Sequence, residues 1–233
     1  MCRNMQYNPA DFNQFVLDND VVGFFENPIT LKSGRQSNWY VNWRKVAGDV
    51  ILTEQLARSV MDFSLRHSLR PDTFYGVPAG ATKLAVLTQY LWAKGDPTHG
   101  PGTHTLAIGR EKPKEHGDPK DKFFVGMPRG RTVLIEDVTT TGGSLLREIE
   151  KCLEARVQVV AAIGLTNRME LNGDRKSVEQ LVKERGIPYF AMSNAPELLP
   201  LAYKRLQPGR NIGLAIEKEF VEFGVQPVRL VSL

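Results

Sequence analysis

The stretch Thr132-Val133-Leu134-Ile135-Glu136-Asp137-Val138-Thr139-Thr140-Thr141-Gly142-Gly143-Ser144 limits what this chain can become more than any other. Val133, Leu134 and Ile135 form an unbroken apolar run, the pattern of a strand buried on both faces of a parallel sheet. The run stops at two carboxylates, Glu136 and Asp137, and enters a turn built only from small residues. Leu145, Leu146, Ile149 and Leu153 then recur at helical spacing, which predicts a helix with those residues on one face. Strand, acidic edge, small-residue loop and helix N-terminus make a place for a phosphorylated sugar. Backbone N–H groups of residues 139–143 can wrap a phosphate, and the helix dipole adds positive potential. Gly142 and Gly143 permit close approach, and Thr139, Thr140 and Thr141 add hydroxyl donors. Glu136 and Asp137 can accept hydrogen bonds from vicinal ribose hydroxyls, or hold Mg²⁺ through water. No Gly-Lys-Ser/Thr follows, so the loop is not a P-loop.

At 233 residues, one domain with additions is expected. The net charge of +4 and pI near 9.1 fit either a nucleic acid or a polyanionic small substrate. The cations cluster around 110–122, without aromatic–basic alternation, so a small molecule is expected and no nucleic acid. The longest apolar run, Val157 to Leu165, is broken by Gln158 and Gly164 and is too short to span a bilayer. Met1 to Gln6 carry no apolar signal core, and no membrane partner is expected. Cys2 and Cys152 give neither a disulfide framework nor a zinc spacing, which points to a reducing, cytoplasmic location.

Elements follow from pattern. Residues 9–25 predict a short amphipathic helix ending near Gly23. A turn at Ser33-Gly34 leads to an aromatic strand from Trp39 to Trp43, with Trp39, Val41 and Trp43 on one face and Tyr40 and Asn42 on the other. Residues 53–66 read as a helix capped by Thr53. Thr73 to Val77 is a strand, followed by the loop Pro78-Ala79-Gly80-Ala81-Thr82-Lys83 and a helix to about Trp92. His104 to Gly109 and Val157 to Leu165 are further strands, 174–185 a helix stopped by Gly186, Pro188 to Ser193 a strand and Pro196 to Leu206 a helix. Beyond Pro208-Gly209, a helix over 212–223 and a last strand over 228–231 are expected. Strands alternating with helices indicate an α/β, doubly wound parallel sheet. On composition alone, Arg110 to Lys122 is an exposed, solvated loop.

Residues 132–144 closely resemble the phosphoribosyl-pyrophosphate (PRPP) signature of type I phosphoribosyltransferases. Leu31-Lys32-Ser33-Gly34-Arg35-Gln36-Ser37, followed by Trp39-Tyr40-Val41-Asn42, resembles the N-terminal segment of orotate phosphoribosyltransferases. Arg110, Lys114, His116 and Gly117 match that family's flexible catalytic loop. Glu111 stands where the family usually has lysine, with Lys112 one position later as its substitute. Gly80 stands where many members have a lysine, and the next lysine is Lys83. Lys83 is either a solvated helix lysine or a pyrophosphate contact. Thr166-Asn167-Arg168 matches a strand that commonly ends in Asp-Arg, and Val41 replaces a second aromatic. The likeness covers about residues 28–205.

The resemblance implies a type I phosphoribosyltransferase fold: a parallel twisted sheet flanked by helices, with a small N-terminal hood (1–45), a PRPP-binding core (46–206) and a C-terminal extension (207–233), compact as one domain. It implies transfer of the 5-phosphoribosyl group of PRPP to N1 of orotate, giving orotidine 5′-monophosphate (OMP) and pyrophosphate on the route to UMP. Asp137, Arg110, Lys114 and His116 would be catalytic. Glu136, Asp137, Thr139, Thr140, Thr141, Gly142, Gly143 and Ser144, with Ala79, Gly80, Lys83 and Lys112, would bind PRPP. Lys32, Tyr40, Val41, Thr141 and Arg168 would bind orotate. Mg²⁺ would be held mainly by PRPP, and a homodimer would let the 110–122 loop reach the neighbouring site. The alternatives are a phosphoribosyltransferase for a purine, or a PRPP-sensing relative without turnover; Glu111 and Gly80 keep the second open. The length leaves no room for a fused decarboxylase.

Overall fold

The computed structural model describes residues 7–116 and 122–231; Cys2 and Gly117 lie outside the described residues. The elements are α1 (Pro9–Asp18), β1 (Val22–Thr30), β2 (Gln36–Val41), α2 (Val50–Arg66), β3 (Thr73–Gly76), α3 (Thr82–Lys94), β4 (Ile108–Gly109) and β5 (Phe124–Val125). They continue with β6 (Arg131–Thr139), α4 (Gly143–Glu154), β7 (Gln158–Asn167), α5 (Val178–Lys183), β8 (Tyr189–Asn194), α6 (Ala195–Leu206) and α7 (Arg210–Phe223).

The centre is a parallel four-stranded sheet in the order β3-β6-β7-β8. Val133, Leu134 and Ile135 on β6 are all fully buried, as the apolar run requires. They alternate between two cores. Val133 and Ile135 join Phe74, Leu84, Leu198 and Leu199 on the side of α2, α3 and α6. Leu134 joins Tyr75, Leu145, Ile149 and Val182 on the side of α4 and α5. β1 and β2 form a separate antiparallel hairpin, and α7 packs against it: Phe220 stacks on Trp39 at 6.2 Å.

Several boundaries differ from the sequence expectation, each for a local reason. α1 stops at Asp18 rather than near Gly23, because Asn19 caps the helix and Asp20 takes the left-handed exit at φ 51°. Val22 and Gly23 then enter β1. The aromatic strand is Gln36–Val41, earlier than expected; its faces are as expected, with Trp39, Val41 and Trp43 buried. α2 is capped by Asp49, whose Oδ1 accepts from the Ile51 and Leu52 N–H groups at 2.9 Å each. Thr53 lies inside the helix, its hydroxyl bonded to the Val46 and Asp49 carbonyls. The strand from His104 shrinks to Ile108–Gly109, because the Gln89 side chain takes the Thr105 carbonyl. On α4 the buried stripe is Leu145, Glu148, Ile149 and Cys152; Leu146 is half-buried and Leu153 exposed. α5 starts at Val178, since Asn172 ties up the N–H groups of Asp174 and Lys176 and Ser177 forms a capping box with Gln180. No strand forms over 228–231: the N–H groups of Leu230 and Val231 donate to the Glu217 carboxylate instead.

Candidate active site

β3 and β6 are parallel neighbours, so the loops that leave their C-terminal ends lie side by side, the usual ligand edge of an α/β sheet. Each loop leads into a helix without a side-chain cap. The α3 N-cap is Ala81 and the α4 N-cap is Gly142, at φ 81°. Both helix ends therefore keep N–H groups for an anion. A Cβ on Gly142 would stand 2.8 Å from Val178 Cγ2, so close packing as well as dihedral requires glycine there.

Between the loops and the hairpin lies a cleft of about 730 Å³. It gathers Lys32, Tyr40, Val41, Ala79, Gly80, Lys83, Glu136, Asp137, Thr139, Thr140, Thr141, Gly142, Gly143, Ser144 and Arg168. These residues come from segments spread over the whole core. Arg110, Lys112, Lys114 and His116 do not line it. Their segment runs back on itself, with Arg110 N–H donating to the Phe123 carbonyl and Lys114 N–H to the Lys122 carbonyl, both at 2.8 Å.

Cations and acids share the cleft. Lys32 Nζ and Arg147 Nη2 both donate to Ser144 Oγ, at 3.1 and 3.3 Å, beside the open N-terminus of α4. Glu136 and Asp137 line it from β6. Lys83, in the first turn of α3, reaches the Ala47 carbonyl at 3.4 Å, and Arg44 lines the same cleft two residues beyond Asn42. Arg44 and Arg147 escaped the sequence reading. Arg44 sits in the turn that follows β2, and helical spacing carries Arg147 beside Ser144.

Glu136 is buried, its Oε2 has no hydrogen-bond partner, and burial together with the Asp137 charge holds its carboxyl well above the usual range. Asp137 is half-buried and accepts from the Val138 N–H at 2.9 Å. Gly80 is pressed against it: a Cβ there would lie 2.4 Å from Asp137 Oδ2. A side chain at this position would displace the Asp137 carboxylate, and Lys83 and Arg44 supply positive charge nearby. The Thr139 hydroxyl is turned away from the cleft, bonded to the buried Tyr189 hydroxyl at 2.6 Å. Thr139 can therefore serve a ligand only through its backbone, whereas Thr140 and Thr141 line the cleft.

Arg168 lines the cleft but is built into its wall. Its guanidinium donates to Glu170 at 2.7 Å, the Trp39 carbonyl at 3.1 Å and Ser37 Oγ at 3.0 Å, and stacks 3.8 Å from the Trp39 ring centroid. Three of its five N–H groups are used and two remain, on a side chain that is only 2% exposed. Glu219 on α7 braces the same wall, accepting from Ser37 Oγ at 2.8 Å and the Asn38 N–H at 2.7 Å. The C-terminal segment, to which the sequence alone assigns no role, thus supports the hairpin wall of the cleft.

Among the described residues no group of three or more His, Cys, Asp or Glu side chains could hold a metal ion. The cleft offers Mg²⁺ only the pair Glu136 and Asp137. A hydrated ion carried by a substrate's phosphates, reaching these acids through water, fits that donor set and the unpartnered Oε2. No helix among the described residues is long and apolar enough to cross a membrane.

No family model matches the chain. It is 32% identical over 187 residues to the orotate phosphoribosyltransferase of Bradyrhizobium diazoefficiens, covering 76% of this chain and 89% of that protein. Its identity to the Bifidobacterium longum enzyme of the same name is 28% over 214 residues, covering 84% and 87%. The fold matches crystalline orotate phosphoribosyltransferase from Francisella tularensis with a TM-score of 0.67 at 20% identity, covering 92% of this chain and all of that one. It matches UMP synthase from Leishmania donovani with a TM-score of 0.70 at 21% identity, covering 91% of this chain and 42% of that one. A shared sheet order alone would give only the fold; at this identity and coverage, the chain belongs to the orotate phosphoribosyltransferase family.

Proposed function

We propose that the protein transfers the 5-phosphoribosyl group of PRPP to N1 of orotate, giving OMP and pyrophosphate for UMP synthesis. The observation that carries this reading is the gathering in one cleft of two open helix ends, cations beside them, and a pair of acids. PRPP has the complementary groups: 5′-phosphate, pyrophosphate and ribose diol. Residues 140–144 with Arg147 take the 5′-phosphate, Glu136 and Asp137 the diol, residues 79–83 with Arg44 the pyrophosphate, and Lys32 serves orotate, as the resemblance implies. Orotate lies against the hairpin wall at Tyr40 and Val41, with its carboxylate toward the two remaining Arg168 N–H groups. A neutral purine has no carboxylate for that arginine, which favours orotate over the purine reading.

Orotate reacts as its N1 anion. The N1–C1 bond forms on the face opposite the leaving group, the C1–O bond breaks, and pyrophosphate departs with the electron pair, so C1 inverts. No proton must move to the base, and catalysis rests on placement and on charge complementarity. Mg²⁺, when bound, offsets charge on the pyrophosphate. Arg110, Lys114 and His116 add donors to the same oxygens. In a homodimer, which the family resemblance implies, their segment would serve the neighbouring subunit's cleft. The free, buried Cys152 fits a reducing, cytoplasmic location.

PRPP-dependent pyrophosphate release, compared with orotate, adenine and hypoxanthine as acceptors, tests the reading. Release with orotate alone is expected; release with a purine would overturn the base assignment, and binding of PRPP without release would leave only a sensor.

A further inference from the structure

Lys151, on the third turn of α4, belongs to none of the groups above. Its Nζ donates to Glu148 Oε2 at 2.8 Å and to the carbonyl of Arg110 at 3.0 Å. Glu148 Oε1 accepts from the Tyr75 hydroxyl at 2.5 Å. Glu148 is 3% exposed and Tyr75 fully buried, so an ionised pair has been taken largely out of water. Gly109, just before Arg110, is seated on this cluster: a Cβ there would stand 1.9 Å from the Tyr75 hydroxyl and 3.0 Å from Glu148 Oε1. β3, α4 and the end of β4 therefore converge on one point, the root of the segment that carries Arg110, Lys114 and His116.

The same helix serves the other end of the substrate. Its N-terminus at Gly143 opens onto the main cleft, and Glu148 and Lys151 follow about 8–12 Å further along its axis. A second polar cleft of about 260 Å³, lined by Lys32, Ser144, Arg147, Glu111 and Lys151 among others, joins the phosphate end to this cluster.

We propose that Lys151, held by Glu148 and Tyr75, is a positioning residue that sets the direction in which the Arg110–His116 segment leaves the core. This rests on the reading that the segment serves the leaving group. A purely packing role would need an apolar residue at 151, whereas a lysine that bridges a buried carboxylate to a main-chain carbonyl fixes an orientation. A displacement of about 1 Å at reacting groups can cost about a hundredfold in rate.

Steady-state kinetics of Lys151→Met, Lys151→Arg and the double variant Glu148→Gln/Lys151→Met, run beside Lys114→Ala, test this. Lys151→Met should lower kcat about tenfold or more while the KM for orotate stays within about twofold. Lys151→Arg, which keeps both donors, should restore most of the loss. The double variant leaves no unpaired buried charge, so it should keep near-native thermal stability and still show the kcat loss. If its kcat stays within about twofold of the parent while Lys114→Ala loses turnover, the role of Lys151 is overturned and the segment's role stands. If Lys114→Ala turns over normally, both are overturned.

Discussion

Replacing Gly80 with alanine should cost activity far more than stability. The added Cβ would lie 2.4 Å from Asp137 Oδ2, 2.6 Å from Cγ and 2.7 Å from Oδ1. Ordinary van der Waals contact begins near 3.4 Å, so the carboxylate must retreat about 1 Å. It is the end of a side chain on the half-buried edge of the strand, and can rotate at little cost in folding energy. It accepts a hydrogen bond from the Val138 N–H at 2.9 Å. In the proposed reaction, however, that carboxylate holds the ribose beside the carbon where bonds form and break. A shift of about 1 Å there is expected to lower kcat/KM by roughly a hundredfold, about 2.7 kcal/mol of transition-state stabilisation. Gly80→Ala should therefore unfold within a few degrees of the parent and form OMP about a hundred times more slowly. Gly80→Lys should behave as badly, although it restores the residue many relatives carry. The reasoning is refuted if Gly80→Ala keeps kcat/KM within about twofold, or if it loses stability and activity in step.

Other expectations follow from the same geometry. Arg44→Ala should raise the KM for PRPP about tenfold, the scale of a lost hydrogen bond to a charged group, with no change in melting temperature; equal KM values would remove Arg44 from the site. Arg168→Met strips a guanidinium from the buried Glu170 and from the Trp39 stack, and since Arg35 still pairs with Glu170 at 3.1 Å the expected loss is about 3 kcal/mol by urea unfolding. A loss well below 1 kcal/mol would contradict that account. Glu136 gives a pH signature. Unfolded, it releases its proton near 4.5; folded, burial and Asp137 hold the proton to higher pH, so the native state binds more protons between the two values. Its contribution to stability is present below 4.5 and is lost as pH rises through the folded pKa. Glu136→Gln should then melt like the parent at about pH 4 and higher than the parent at about pH 8, by roughly 2–4 °C per kcal/mol relieved. A constant difference across that range would show that Glu136 carries no strain.

How much of this was legible in the sequence depended on whether the information was local. Val133 to Ile135 could be read as a strand buried on both faces because continuous apolar character has that meaning wherever the strand sits. The alternation over 39–43 was equally plain, but Arg44 lies in the turn beyond β2, where strand alternation does not reach. Helix starts at Asp49 and Ser177 were misplaced because several polar residues competed for the cap, and hydrogen bonds such as those of Asn172 decide which wins. The strand expected at 228–231 had the right composition, but no sheet edge was there to pair with, and Glu217 took its N–H groups. Contacts across large sequence separations were out of reach: Glu219 bracing Ser37, Lys151 reaching the Arg110 carbonyl, and Asp137 closing the space at Gly80. The last shows what a side chain at position 80 would meet, which the sequence alone does not. The Thr139 hydroxyl shows the reverse case, a motif residue whose side chain is claimed by Tyr189 on another strand.

The central claim is that two acids, in one cleft with two open helix ends, hold PRPP for attack by orotate. Product analysis with purified protein, PRPP, Mg²⁺ and orotate, for the parent and for Asp137→Asn, tests it most directly. OMP and pyrophosphate should appear one for one with the parent and fall by about a hundredfold or more with Asp137→Asn, at unchanged thermal stability. No OMP from the parent, or equal OMP from both, would contradict the account.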